Sequence, residues 1–187
     1  MARNYNYSDF YVKEPFNKFS LGANATKDFC YYNMLRAWKG GDSSFPFNDA
    51  HSTTYNVRDN SDWETTLKPR LRERLRNSKN IILFLSDNTS NSRALREEIE
   101  YGISSQELPI IVIYPDLKDK NALLTTDGKN LNNTVKRLWE KLPKFRDLKV
   151  NVPVLHVPMK KDVIKSALNN LNFRVDSNKN PGDYFYN

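Results

Sequence analysis

The chain has 187 residues, of which 39% are hydrophobic and 27% charged, and these values are typical of one globular domain with a substantial core. A single cysteine, Cys30, excludes an internal disulfide, a disulfide scaffold and a cysteine-based zinc site. The net charge of +7 is compatible with an anionic partner, but a well-solvated surface is the better explanation. No apolar run is long enough to cross a bilayer and the N-terminus has no secretion signal, so we expect a cytoplasmic protein without membrane contact.

The first half of the chain alternates weak strand patterns with helical ones, after an N-terminal stretch that we predict to be irregular. A weak strand candidate at 18–22 precedes a helix over 28–38, and a short strand over 45–51 precedes a helical segment over 61–75. Ser61 and Glu64 have capping-box spacing at the start of that segment. Pro69 requires the helix either to kink or to begin near Lys68.

The second half of the chain carries the strongest strand signals. Residues 80–86 and 108–114 are continuous apolar runs, typical of central strands that are covered on both faces. A helix over 92–104 lies between them, and further patterns predict a helix over 131–142, a strand over 152–158 and a helix over 160–171. This alternation predicts a parallel sheet with helices on both faces, in which the two apolar runs are neighbouring interior strands.

Ligands of such sheets bind beyond the carboxyl ends of the strands. The loops there lie at 22–28, 48–60, 86–92 and 115–121, and none contains a GxGxxG, GxxxxGK[ST] or GxSxG motif. Of the two histidines, His156 alternates with apolar residues in a predicted strand and is interpreted as structural. We therefore expect no metal site.

The helix over 92–104 contains three glutamates whose directions differ. With Ser92 as its cap and a step of about 100° per residue, four residues form the buried stripe: Leu95, Ile99, Gly102 and Ile103. Glu97 and Glu100 point away from this stripe and are predicted to be solvated. Glu98 lies about 60° from Leu95, on the edge of the stripe. It is therefore either the partner of a nearby base such as Arg93 or Arg96, or a functional carboxylate beside a cleft.

Four stretches in this order resemble the bacterial TIR-like domain family, especially the Thoeris anti-phage TIR-like proteins. They are DFCYYNMLRAWKG (28–40), FNDAH (47–51), residues 71–103 and PIIVIYPD (109–116). The third is the most specific, because it joins an apolar strand, a Ser/Asn-rich turn and a helix with Arg-x-Glu-Ile. The resemblance implies an α/β, flavodoxin-like (TIR-type) three-layer sandwich with a central parallel sheet. It places the domain at 16–172, between an N-terminal extension (1–15) and a C-terminal tail (173–187).

The resemblance also implies an activity. In catalytic TIR domains a glutamate of this helix is the key residue for cleaving NAD, and the matching position here is Glu98. The implied protein is an enzyme of the NAD glycohydrolase or ADP-ribosyl cyclase type, with NAD as substrate and no cofactor. It would self-associate and signal to a downstream effector that senses the nucleotide product. Two features depart from the family: Ala94 replaces a common aromatic residue, and the loop at 22–28 is longer than usual.

Two other functions remain open at this stage. The first alternative is a non-catalytic TIR adaptor that acts in signal transduction by self-association. A nucleic-acid-binding α/β domain is suggested only by the charge, and we do not expect specific nucleic-acid binding.

A single carboxylate can suffice for NAD cleavage, because nicotinamide leaves as a neutral molecule and needs no general acid. Backbone in the loop at 22–28 could approach the diphosphate, and polar side chains of the turn at 86–90 could bind ribose. The structural alternatives are a helix cap at 28, a turn at 49–51 and local hydrogen bonding at 86–90. The candidate substrate-binding residues are Gly22, Asn24, Asp28, Asp49, His51, Ser86, Asn88 and Ser90.

Overall fold

A computed structural model describes residues 3–11, 26–52 and 62–186. Five strands form one parallel sheet in the order β1-β2-β3-β4-β5. An isolated parallel bridge between Asn6 and Asp49 adds a second chain segment on the outer side of β1. This segment lies between β1 and β2 in the chain. When it is counted as the second strand, the spatial order of the sheet begins 2-1-3-4-5, as in flavodoxin-like folds. The strands are β1 (Tyr5–Asp9), β2 (Ser78–Phe84), β3 (Ile110–Tyr114), β4 (Pro153–Pro158) and β5 (Gly182–Phe185).

The connections between the strands are helical, as the alternating pattern predicts. A π-helical turn, Trp63–Leu67, leads into the second helix, and short 3₁₀ turns occupy Lys149–Asn151 and Leu171–Phe173. None of the helices in the part of the chain that the structure describes is long and apolar enough to cross a membrane. The helices are α1 (Lys27–Gly41), α2 (Lys68–Arg76), α3 (Arg93–Ser104), α4 (Asn133–Trp139), α5 (Pro143–Leu148) and α6 (Lys161–Asn169).

The core lies in two layers, one on each face of the sheet. On one face, alternate residues of β2 and β3 such as Ile81 and Val112 pack against α2, α3, α4 and α5. On the other face, Ile82 and Ile111 pack against α1 and α6. Each fully buried isoleucine contributes about 1.5–3 kcal/mol. The α/β three-layer sandwich is confirmed, and so is the prediction that β2 and β3 are neighbouring interior strands.

Both ends of the chain are more regular than the sequence indicated. The prediction of an irregular N-terminus was wrong for β1, which pairs with β2 along its length. A polar residue of β1 forms a buried hydrogen bond to β2, since Asn6 Nδ2 donates to Asn80 Oδ1 at 2.8 Å. The C-terminal tail likewise contains β5, which pairs with β4. The weak strand candidate at 18–22 lies outside the described residues.

The segment at 61–75 begins differently from the predicted capping box. Ser61 lies outside the described residues, and Asp62 is the cap, with its carboxylate accepting from the Thr65 amide at 2.8 Å. Of the two alternatives for Pro69, the later helix start is observed, because α2 begins at Lys68. Pro69 therefore lies in the first turn of α2, directly after the π-helical turn Trp63–Leu67.

Candidate functional site

Helix α3 approaches the sheet closely near its carboxyl end. Ser92 caps its start as predicted, with Oγ accepting from the Leu95 amide at 3.2 Å. The predicted buried stripe is confirmed. At Gly102, a Cβ atom would lie 2.4 Å from Ile81 Cδ1, so only a glycine lets the helix lie this near to β2. This close contact brings the middle of α3, and with it Glu98, beside β1.

The Glu98 carboxylate is partly exposed and is hydrogen-bonded by a residue of β1. Its Oε1 accepts a hydrogen bond of 2.6 Å from the hydroxyl of Tyr7, a buried residue. Burial, followed by the negative charges of Glu98 and Asp9, raises the pKa of Tyr7 well above its ordinary value. The phenol therefore stays protonated and keeps donating. Arg93, one of the two bases predicted as possible partners of Glu98, pairs instead with Glu64 at 2.9 Å.

A second carboxyl group lies beside Glu98 at the end of β1. Asp9 is two residues after Tyr7, so both side chains point to the face that α3 covers. Asp9 is 1% exposed, and neither of its oxygens has a hydrogen-bond donor in residues 3–11, 26–52 and 62–186. Burial, followed by the charge of Glu98 and a side-chain hydrogen bond to it, raises the pKa of Asp9 well above its ordinary value.

His51 packs on the other side of Tyr7, with 4.8 Å between the ring centroids. Its Nε2 lies 2.8 Å from the Ser8 carbonyl oxygen, and its Nδ1 lies 3.2 Å from a guanidinium nitrogen of Arg74. Because the carbonyl can only accept and the guanidinium can only donate, Nε2 carries the hydrogen and the ring is neutral. Burial lowers the pKa of His51, which agrees with this assignment.

Asp49 forms the turn that presents His51. One of its oxygens accepts from the His51 amide at 2.9 Å, and the other accepts from the Tyr32 hydroxyl at 2.7 Å. Arg36 Nε lies 3.9 Å from the same carboxylate. The structural-turn alternative thus describes the observed contacts of Asp49, whereas its role in substrate binding stays a prediction.

Asp28 and Ser86 join α1 to the turn after β2. Asp28 is buried and accepts from the Ser86 hydroxyl at 2.6 Å and from the Thr89 hydroxyl at 2.7 Å. Burial raises the pKa of Asp28, although both of these hydrogen bonds act in the opposite direction. Thr26, not Asp28, caps α1. The sequence analysis missed Thr89, whose signal is a hydroxyl residue three positions after Ser86 in a strand-to-helix turn.

The remaining candidate residues of the loops fall into two groups. Asn88 and Ser90 are exposed at the carboxyl end of β2, and the Asn88 amide donates to Ser86 Oγ at 3.1 Å. Gly22 and Asn24 lie outside the described residues. The structure thus brings Glu98 and His51 together around Tyr7, and Asp28 together with Ser86 in a separate cluster.

Comparison with known families identifies the family to which this fold belongs. A family model for the Thoeris protein ThsB, TIR-like domain, matches residues 10–120, which is more than half of the chain. The chain belongs to this family. The match includes α1, α2, β2, α3 and β3, and therefore includes Glu98 and His51. It confirms the resemblance to Thoeris TIR-like proteins and supports a role in anti-phage defence.

The outer face of α3 in this TIR-like domain differs from the prediction at one glutamate. Glu97 was expected to be solvated, but its side chain is 18% exposed and contacts Arg72 Nη2 at 2.6 Å and Lys68 Nζ at 3.8 Å. Glu100 is 53% exposed beside Lys144, as expected of a solvated residue. A cleft of about 240 Å³ opens on this face, lined by Trp63 and by acidic and basic side chains, most of which pair with each other.

The sequence analysis also missed Tyr7 and Asp9, the two residues beside Glu98. They lie in YNYSD, a stretch that appears too polar for a central element of the sheet. The available signal is the alternation of Tyr5, Tyr7 and Asp9 on one face of an extended segment.

Proposed function

We propose that this TIR-like domain cleaves NAD to ADP-ribose or to a cyclic ADP-ribose-type second messenger, with Glu98 as the catalytic residue. The observation that carries the proposal is the position of the Glu98 carboxylate. It is partly exposed, held by the Tyr7 hydroxyl at 2.6 Å and adjacent to the carboxyl end of β1. Parallel α/β sheets bind their ligands at this edge.

The chemistry requires little beyond a well-placed negative charge. The bond that breaks joins the ribose to the cationic pyridinium, and its electron pair leaves with nicotinamide, which becomes neutral. Positive charge develops on the ribose, and a carboxylate that hydrogen-bonds the ribose hydroxyls stabilises it in the transition state. No general acid is needed, in contrast to the carboxylate pairs of typical glycosidases.

The group that captures the ribose determines the product. Attack by water adds a hydroxyl group to the ribose, releases a proton and gives ADP-ribose. Attack by a nucleophilic atom of the adenine half closes a ring and gives a cyclic product, which requires a folded substrate in a water-poor pocket. The neutral His51 and the buried Tyr7 add no positive charge to this side of the carboxylate, so they do not oppose the developing ribose cation.

Glu98→Gln tests the proposal, because glutamine keeps the size and the oxygen that accepts from Tyr7 but removes the charge. We expect NAD turnover, followed by mass spectrometry of the products, to fall by about a hundredfold or more. The melting temperature should change little.

The matched control is Glu100→Gln on the solvent side of the same helix. Its ion pair with Lys144 is exposed and is worth about 1 kcal/mol or less, so turnover and stability should both stay near the wild-type values. Equal turnover by the wild type and Glu98→Gln, with both folded, would remove Glu98 from the mechanism. Absence of turnover in every variant, including at high protein concentration and under crowding, would favour the adaptor function.

Self-association and a downstream effector that senses the product are further parts of the proposal. Their support is the family membership alone. A concentration series of the same turnover assay tests self-association, since an activity that needs assembly rises faster than the protein concentration.

A further inference from the structure

Asp9 has an unusual environment for a carboxyl group. It is almost fully buried, and no donor in the described part of the chain reaches either oxygen. It lies two residues after Tyr7 on the same face of β1, and the Tyr7 hydroxyl contacts another acid there, Glu98, at 2.6 Å. An ionised carboxylate without a donor or a cationic partner is too costly to bury, and the group takes up a proton instead.

The protonated member of this pair can be assigned from burial. Two carboxyl groups can hydrogen-bond to each other only if one of them holds a proton, and two neighbouring negative charges disfavour each other. Asp9 is buried, whereas Glu98 is partly exposed and already accepts from Tyr7. The proton therefore belongs on Asp9, which makes Asp9 a donor.

We propose that Asp9 is a positioning residue whose protonated carboxyl group donates to Glu98, so that β1 holds the catalytic carboxylate with two donors, Tyr7 and Asp9. Both donors lie on a strand that is paired along its length, and this fixes the orientation of the Glu98 carboxylate toward one side. The catalytic role of this arrangement rests on the proposed function. The proton shared by Asp9 and Glu98 is independent of that function.

The surroundings of the pair are compatible with this assignment. Arg74 donates to His51 Nδ1, and His51 is neutral, so these two groups are engaged with each other. The Tyr7 phenol remains protonated at neutral pH. The titratable and charged groups around the pair come from four elements: Tyr7 and Asp9 on β1, Asp49 and His51 in the turn beyond it, Arg74 on α2 and Glu98 on α3.

The first measurement needs no substrate. The infrared spectrum of the wild-type protein at neutral pH should contain the carbonyl band of a buried protonated carboxylic acid. Asp9→Asn should remove this band, and Glu98→Gln should shift or remove it because the charged acceptor is lost. A wild-type spectrum without such a band, or a band that persists unchanged in Asp9→Asn, would overturn the proposal whatever the turnover.

The second measurement is NAD turnover by two variants of Asp9. Asparagine can still donate to Glu98, whereas leucine has a similar size and cannot. We expect Asp9→Leu to lower kcat about tenfold to a hundredfold with little change in KM, and Asp9→Asn to be about tenfold more active than Asp9→Leu. Equal activities of the two folded variants would overturn the positioning role. If Asp9→Leu does not fold, the infrared spectrum of Asp9→Asn still decides.

The two measurements separate the failure of each proposal. A carboxylic acid band that depends on Asp9, without NAD turnover in any variant, would leave the shared proton standing and remove the proposed function. Turnover that depends on Glu98, without the carboxylic acid band, would support the proposed function and remove the shared proton.

Discussion

The contact between α3 and β2 at Gly102 provides a quantitative test of how the fold positions Glu98. Gly102→Ala places a Cβ 2.4 Å from Ile81 Cδ1, and Ile81 is fully buried, so it cannot turn away into solvent. Overpacking of this kind costs about 1–3 kcal/mol. Replacing glycine by alanine in a helix interior contributes about 1 kcal/mol in the opposite direction. We therefore expect a net destabilisation of about 1 kcal/mol, or about 2–4 °C in the melting temperature of a chain of this length.

Ile81→Val removes the clashing Cδ1 atom and identifies the mechanism. Alone it should cost about 1 kcal/mol. Combined with Gly102→Ala, it should restore nearly wild-type stability, because the clash is gone and the helix gain remains. Denaturant unfolding of the four proteins gives the coupling energy, which we expect to be about 2 kcal/mol. Additive effects would refute the reasoning, as would a Gly102→Ala variant that is more stable than the wild type. NAD turnover should fall in Gly102→Ala and recover in the double variant, since the clash displaces α3 and moves Glu98 from Tyr7.

Two further predictions concern buried polar clusters. Asp28→Asn leaves either the Ser86 or the Thr89 hydroxyl without its acceptor and should lower the free energy of unfolding by about 1–3 kcal/mol; an unchanged melting temperature with lost NAD turnover would instead make Asp28 a substrate ligand. At Asp183, burial raises the pKa, but the interactions with His156 and Lys149 together outweigh it, and the net pKa is about 2. The carboxylate therefore stabilises the fold above pH 4, and this contribution is lost as the pH falls toward 2. Since the side chain is 33% exposed, we expect Asp183→Asn to cost only about 1 kcal/mol at pH 7 in thermal melts, with the difference vanishing near pH 2.

The sequence predicts the centre of this fold better than its edges, for a physical reason. β2 and β3 are covered on both faces, so nearly every residue must be apolar, and such runs are visible without any neighbour. β1 lies between β2 and a segment joined to it by one bridge among the described residues, and its buried positions are polar, with Asn6 and Tyr7 bonded to Asn80 and Glu98. Those partners are distant in the chain, so the residues of β1 cannot be distinguished from a polar loop.

The glutamates of α3 show the same limit within the site. Helical periodicity gives the direction of each side chain relative to the buried stripe, and this was enough to select Glu98 and to place Glu100 in solvent. It does not show which other helix lies alongside, and α2 brings Arg72 and Lys68 to Glu97. Tyr7 and Asp9 were missed for the same reason, because only the packing of α3 against β1 brings them beside Glu98.

A buried polar network near the other edge of the sheet has a hydrogen-bond partner for each of its members. Trp139 Nε1 can only donate, and it donates to the Tyr114 oxygen at 3.0 Å. The Tyr114 hydroxyl then donates to His156 Nδ1 at 2.8 Å, and His156 Nε2 donates to Asp183 at 2.9 Å. Lys149 completes the chain by donating to the other Asp183 oxygen. One assignment of hydrogens satisfies every member, which makes His156 structural, as predicted from its strand.

The pair of Asp9 and Glu98 differs from this network, because no residue that the structure describes donates a hydrogen bond to Asp9. Among residues 3–11, 26–52 and 62–186, Asp9 is the one buried carboxyl group whose oxygens find no donor. A buried acid without a donor weakens the fold unless it is protonated and finds an acceptor. In the proposed arrangement Asp9 holds a proton and donates it in a hydrogen bond to Glu98, the carboxylate that would stabilise a ribose cation. The unsatisfied polar group and the proposed catalytic charge therefore belong to one arrangement, and Asp9→Asn tests both of its parts.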